Sequence, residues 1–309
     1  MYNIEICPCC NSDSLSYSYG IISPFISHYV LGEKPSGCRF FTCNNCGFRF
    51  FEQRFDDDEV ERLYDDYRGP EYFQVRHKYE PWYSESINNG IGYNEQVIAE
   101  RKEQIKKFIL ANLSGKRRFN RILDYGGDRG QFIPDDISDE RYVYEVSGVT
   151  PVPGVTLVDD IDSVGNDTFD VVILSMVLEH VSDPHVILNK IHEILTPDGY
   201  LVLEVPYEPF KYKNWFGNKT ENYLNKLANS PEFILKAIDL YSTLFRIKFR
   251  YIPPLGFVKL HEHINFFSES SLHSLFQLNN FSVISIERHY QDTKSFINDS
   301  LLCLVKVEK

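Results

Sequence analysis

From Phe119 onward the chain alternates strand-like and helix-like stretches, and this restricts its fold more than any other feature. "RFNRILDYGGDRGQF" reads as a short apolar strand, a glycine-rich turn and a helix start. "RYVYEVSG" and "GVTLVDDI" read as a second and third strand. "FDVVILSMVLEHV" is nearly continuous in apolar residues, as expected of a strand buried on both faces of a parallel sheet. "DPHVILNKIHEIL" has helical spacing, "GYLVLEVP" is a fifth strand, and "SESSLHSLFQL" is a helix before two closing strands. Such alternation predicts an α/β domain with a doubly wound, mostly parallel sheet. Two consecutive strands at the end predict a reversed strand at one edge.

In a sheet of this kind the ligand sits beyond the carboxyl ends of the strands. The turn Asp124-Tyr125-Gly126-Gly127-Asp128-Arg129-Gly130 falls there. Its glycines let backbone approach a ligand, and a helix N-terminus behind them would favour an anionic group. Dinucleotides and S-adenosylmethionine both bind such turns. A dinucleotide site wants G-x-G-x-x-G, and Gly126, Gly127 and Gly130 do not have that spacing.

Six of the seven cysteines lie in the first 46 residues. Cys7 and Cys10 form one C-x-x-C pair, Cys43 and Cys46 another. Together they offer four thiolates to one structural zinc, a closed site with no open coordination position for catalysis. The segment between the pairs must then form its own hairpin or loop. Cys9, Cys38 and Cys303 are left as buried thiols.

Between module and sheet, residues 52–66 are acidic and read as a solvated helix face. The following stretch is dense in aromatics, and its glycines and prolines rule out one long helix. Tyr67, Tyr72, Tyr79, Trp82 and Tyr83 either pack there or line a pocket. Asn94 is a helix N-cap, with Val97, Ile98, Ile105, Phe108, Ile109 and Leu113 on one face and Gly115 at the end. The division expected is a zinc-binding module over 1–50, a tyrosine-rich lead-in over 51–118, and a ligand-binding domain over 119–309. A net charge of -12 speaks against a nucleic-acid binder. No apolar run reaches the ~20 residues of a membrane helix. With no secretory signal at the N-terminus, the expected setting is cytoplasmic.

"ILDYGGDRGQF", "LSMVLEHVSDP" and "LTPDGYLVLEVP", in this order, resemble three signatures of the class I S-adenosylmethionine-dependent methyltransferases. The resemblance runs over residues 119–205 and continues through the last helix and two strands. It implies a seven-stranded Rossmann-like core with S-adenosylmethionine as cofactor. Asp124 and Gly126 would then face the methionine part, within a turn that also holds Tyr125, Gly127 and Gly130. Glu145 would accept from the ribose, Asp160 and Ile161 would border the adenine, and Met176 and Val177 would lie near the ligand. Asp128 departs from the pattern: it stands where the family has a glycine and adds a negative charge there.

Residues 207–258, an insertion after the fifth strand, include two helical stretches and are basic and aromatic. They are expected either to cover the ligand face, suiting an acidic acceptor such as a sugar nucleotide, or to serve as a packing or dimer element. "KLHEHINFFSES" follows. The paired cysteines, this core and an "EH-x-x-x-F-S" segment together resemble the bacterial sugar C-methyltransferases and their zinc-bearing relatives. That resemblance places a base at Glu262 and His263, with Glu262 orienting His263, and leaves His261 outside the chemistry. Two departures are Leu260, where the group has tyrosine, and the group's large C-terminal domain, which is expected to be missing. O-methylation therefore stays open beside C-methylation. Glu179-His180 is a second pair at the mouth of the fourth strand, with His180 near the ligand. The leading expectation is methyl transfer to a small anionic acceptor, with no nucleic acid or membrane partner. Other readings are a non-catalytic binding protein whose zinc module recruits a partner, and a protein or RNA methyltransferase.

Overall fold

A computed structural model of the chain describes residues 1–90, 92–113, 115, 118–293 and 296–309. The first part holds β1 (Tyr2–Asn3), β2 (Leu15–Ile22), β3 (Gly37–Cys43), β4 (Arg49–Phe51) and β5 (Gln53–Arg54). Then come α1 (Asp57–Tyr64), α2 (Pro70–Tyr79), α3 (Glu85–Gly90) and α4 (Glu95–Asn112). The remainder runs β6 (Phe119–Tyr125), β7 (Ser138–Tyr144), β8 (Thr156–Val158), β9 (Phe169–Ser175), α5 (Pro184–Ile194), β10 (Leu195–Pro206), α6 (Thr220–Ala228), α7 (Glu232–Phe249), β11 (Val258–Leu260), β12 (Asn265–Phe266), α8 (Glu269–Leu278), β13 (Phe281–Thr293) and β14 (Phe296–Val307).

The large sheet has the order β13-β14-β10-β9-β6-β7-β8. β10, β9, β6, β7 and β8 pair in parallel, and β14 runs antiparallel to both β10 and β13. The reversed strand is therefore one place in from the edge, not at it. Composition explains this. Leu301 to Val305 of β14 are all buried and need neighbours on both sides, whereas Ser282 to His289 of β13 are part-exposed or exposed and tolerate an edge. α4 covers one face through Ile105, Phe108 and Ile109. α5 and α8 cover the other through Leu188, Ile191, Leu272 and Leu275. Asn94 caps α4 by accepting from the backbone of Gln96 and Val97, and Asp183 caps α5 by accepting from His185.

The helix expected after the glycine turn does not form. Residues 126–137 are turns leading into β7. Asp128 (φ 55°) and Gly130 (φ 70°) are left-handed, which breaks a right-handed run, and Pro134 lacks the N–H a helix would need. No helix N-terminus backs this turn. The N–H groups of Gly126, Asp128, Arg129 and Gly130 are themselves taken by Tyr144, Glu145, Gln131 and Gly127.

A second sheet has the order β11-β2-β3-β4-β12. It joins the N-terminal hairpin to residues 258–266 around a core that includes Phe25, Phe40, Phe51, Tyr72, Ile264 and Phe266. The His261–His263 stretch links its two outer strands. α6 and α7, within the insertion, pack Leu224, Leu227 and Leu235 on Ile21 and Phe257 beside this sheet. Among the described residues no helix is long and apolar enough to cross a membrane.

Candidate active site

A cleft of about 1510 Å³ opens at the carboxyl ends of β6, β7 and β9. Gly126 donates from its N–H to the Tyr144 carbonyl of β7 (2.8 Å) at φ 70°. A Cβ there would lie 2.8 Å from Val177 Cγ2. A Cβ on Gly127 would lie 2.1 Å from Asp124 Cγ, so the carboxyl packs directly under the turn. Asp124 is 2% exposed and its Oδ2 has no partner. Burial pushes its pKa up to about 7, against the pull of Arg101. Arg101 from α4 is itself held by Ser175 (2.5 Å) and Glu204 (2.7 Å).

Asp128 occupies its left-handed position with a carboxylate that accepts from Gln131 Nε2 (2.8 Å), and its N–H donates to Glu145 (3.0 Å). Glu145 also accepts from the Ser147 N–H (3.0 Å). Its carboxylate braces the loop and, with about four acceptor sites in all, keeps capacity for a ligand hydroxyl.

Asp124, Tyr125, Gly126, Gly127, Glu145, Met176 and Val177 all line the cleft. Gly130 does not; its side faces Val143 and Val155, where it serves the turn. Asp160 and Ile161 do not line it either. Asp160 is exposed and caps a short 3-10 turn by accepting from Asp162, and Ile161 is buried in the core. Val146, Ser147 and Val149, after β7, line the cleft instead. None of residues 207–258 lines it. Its roof is the lead-in: Tyr64, Tyr67, Arg68, Asn88 and Asn94, with Val97 and Ile98 of α4. The apolar face read for α4 is thus divided, its first turn facing the cleft and the rest facing the core. Tyr72 and Tyr79 are packed, as their neighbours' aromatic density allows.

The histidines come from two segments clasped together. Glu179's carbonyl accepts from Ile264 (2.9 Å) and Asn265 (3.1 Å), and the Asn265 amide donates to Leu178 and Val181. His180 lines the cleft, with Nδ1 3.1 Å from the Glu262 carbonyl. A carbonyl only accepts, so Nδ1 carries the proton and Nε2 the lone pair. Burial, then neighbouring His263, push His180 down to about 3, so it is neutral. Its ring meets His263 edge to face (4.8 Å) and Tyr64 likewise (6.2 Å).

The expected Glu262–His263 pair is absent. Adjacent residues of an extended segment point to opposite faces. Glu262 turns to the Tyr72 hydroxyl and to Arg76 (3.3 Å). Burial favours its neutral form, but Arg76 and His261 outweigh that and hold it at about 2. His263 instead bonds Glu208 (3.1 Å), from the chain just past β10. Burial opposes its charge, yet Glu208 raises its pKa above the usual value. His263 lies behind His180 and does not line the cleft. His261 stacks on Phe25 (5.2 Å) and faces Glu80.

Glu179 is 2% exposed, and burial pushes it up to about 7. A raised carboxyl stabilises the fold below the unfolded pKa of ~4.3 and loses that contribution as pH climbs through ~7. Glu179→Gln removes this loss. The stability of the variant relative to wild type should therefore rise by about 2–3 kcal/mol from pH 5 to pH 8. Urea denaturation at the two values checks it; a pH-independent difference refutes it.

The four paired cysteines converge. Cys7 and Cys46 Sγ are 3.7 Å apart, Cys10 and Cys43 3.5 Å, and all four lie within 4.8 Å of one another. Tetrahedral zinc with ~2.3 Å bonds needs S–S separations of about 3.8 Å, so the donor set fits that ion. The intervening segment is the β2–β3 hairpin, as the spacing requires. Cys9 stays outside, its thiol donating to the Ser271 carbonyl (2.9 Å). Glu179, His180 and His263 also bring donor atoms within 4.8 Å of one another.

A methyltransferase-domain family model matches residues 97–286. Among solved structures, a Burkholderia thailandensis 1,6-didemethyltoxoflavin N1-methyltransferase with bound 1,6-didemethyltoxoflavin and S-adenosylhomocysteine is 15% identical (76% of this chain, 89% of that one, TM-score 0.44). The N-methyltransferase NodS of Bradyrhizobium japonicum, bound to S-adenosylhomocysteine, is 12% identical (77% and 98%, TM-score 0.41). No curated protein matches the chain.

Proposed function

Because this chain belongs to the methyltransferase-domain family and is an S-adenosylmethionine-dependent enzyme, we propose that it methylates a small acceptor, a sugar or sugar nucleotide, with His180 as the base. The observation that carries this reading is the single cleft joining the glycine turn to His180. Small-ligand pockets span ~300–1,000 Å³; at about 1510 Å³ the cleft has room for cofactor and acceptor side by side. The sugar class follows the resemblance of the paired cysteines and the "EH" segment to sugar C-methyltransferases.

S-adenosylmethionine, when bound, supplies an electrophilic methyl group that needs no covalent enzyme intermediate. The residues present suit it: an orphaned Asp124 oxygen under the turn, a bare Gly126 face, and Glu145 with acceptor capacity one strand over. The protein's remaining task is to align the acceptor and take its proton. His180 Nε2 holds the lone pair for that proton. Glu179, 3.8 Å away and pushed up to about 7, favours the resulting imidazolium in its ionised form. The buried, unpartnered Tyr64 hydroxyl is a group for positioning the acceptor. The cysteine cluster, away from the cleft lining, is proposed as a structural zinc site.

Calorimetry with S-adenosylmethionine, then a screen of sugar nucleotides for methyl uptake, tests the reading. Gly126→Val combines a strained φ with a side chain driven toward Val177. It should weaken cofactor binding at least about tenfold while the protein stays folded by circular dichroism. Wild-type affinity in that variant would move the site elsewhere.

A further inference from the structure

Two guanidinium groups line the cleft, and they differ in one respect. Arg101 is neutralised by Glu204. Arg68 has no carboxylate within ion-pair distance among the described residues. It donates to the Tyr67 hydroxyl (3.2 Å) and lies over that ring (4.5 Å). Glu262, the buried acid whose field reaches it, is already bonded to Tyr72 and Arg76. A partly enclosed cation without a counterion costs free energy unless a ligand supplies one.

The backbone at Arg68 is built for a purpose. Its φ is 63°, a left-handed conformation that non-glycine residues rarely adopt. Asn88 holds it there, its amide donating to the Arg68 carbonyl (2.8 Å) while its oxygen accepts from Tyr83 (3.0 Å). Strain kept in place by surrounding bonds points to function. Around Arg68 the cleft wall offers neutral polar groups: Tyr64, Tyr67, Asn88 and Asn89. From Arg68 the ring contacts run Tyr67–Tyr64 (5.1 Å) and Tyr64–His180 (6.2 Å), so it faces the same chamber as the base.

We propose that Arg68 is the subsite for an oxyanion, phosphate or carboxylate, carried by the acceptor. This rests on the methyltransferase reading above. It also relocates the acceptor's charge partner. The basic residues of the insertion do not line the cleft, and a single guanidinium from the lead-in takes that role. Planar donors suit a bidentate hold on either oxyanion.

The test is calorimetric titration of inorganic pyrophosphate, and separately of malonate, into the full chain saturated with S-adenosylhomocysteine. Wild type should bind at least one of the two, and which one it prefers distinguishes phosphate from carboxylate. Arg68→Gln should weaken that binding at least tenfold, Arg68→Lys less, with S-adenosylhomocysteine affinity unchanged in both. The inference falls if neither anion binds wild type, if Arg68→Gln binds as tightly, or if the variant loses S-adenosylhomocysteine as well. Wild type that fails to bind S-adenosylhomocysteine removes the methyltransferase reading along with it; anion failure alone removes only the subsite.

Discussion

His180→Ala should bind S-adenosylhomocysteine like wild type and slow single-turnover methyl transfer about 100- to 10,000-fold, the range expected for loss of a positioned base. The residues proposed for the cofactor lie mainly at the carboxyl ends of β6 and β7, and His180 enters from the turn after β9, so binding and proton transfer should separate. His263→Ala should cost less, roughly tenfold, because His263 bonds Glu208 and meets His180 without lining the cleft. Its signature is a shifted pH profile: removing a neighbouring cation lets His180 titrate closer to neutrality. A check that needs no acceptor is proton NMR of the histidine rings. His180 should stay neutral from pH 5 to 8, while His263 titrates above the usual histidine range. Near-normal turnover in His180→Ala sinks the assignment and moves suspicion to the tyrosines of the roof. Glu262→Gln should act on stability first, because it loosens Tyr72 and Arg76 in the core of the second sheet.

Metal removal should have the other large effect. Purified protein should contain one zinc per chain, and stripping it should lower the melting temperature by on the order of 10 °C, as expected for several kcal/mol in a chain of this size. The cluster does more than close its own hairpin. The Cys46 carbonyl accepts from Ser270 (2.8 Å) and Ser268 (3.4 Å), and Cys9 donates to Ser271, so the knuckles bind the N-terminus of α8. α8 in turn packs on the large sheet through Leu272 and Leu275. Cys46→Ser should reproduce the loss, with S-adenosylhomocysteine affinity kept in the protein that remains folded. A zinc content near zero refutes the site. A content of two would place a second ion on Glu179, His180 and His263 and displace the base assignment.

Some features were legible along the chain because neighbours in sequence make them. The buried run of β9 and the cap Asn94 depend on residues a few positions apart. The cysteine knuckles do too, since each pair closes on its own turn. The glycine turn was recognisable for the same reason, although the helix after it was not: left-handed Asp128 and Gly130 act on backbone, and helical apolar spacing does not register that. The partner of His263 belonged to another order of fact. Glu262 is adjacent in sequence yet lies on the opposite face, while Glu208, far away in sequence, arrives from the chain after β10. Sheet order likewise placed the lead-in over the cleft and α6 and α7 beside the second sheet. Apolar stripes mark that a helix must pack, but carry no label for the surface it packs on. The partial enclosure of Arg68 and His180 follows from that same packing. Tertiary structure alone decided which charged groups were enclosed and which found counterions, because enclosure is a property of segments brought together in space.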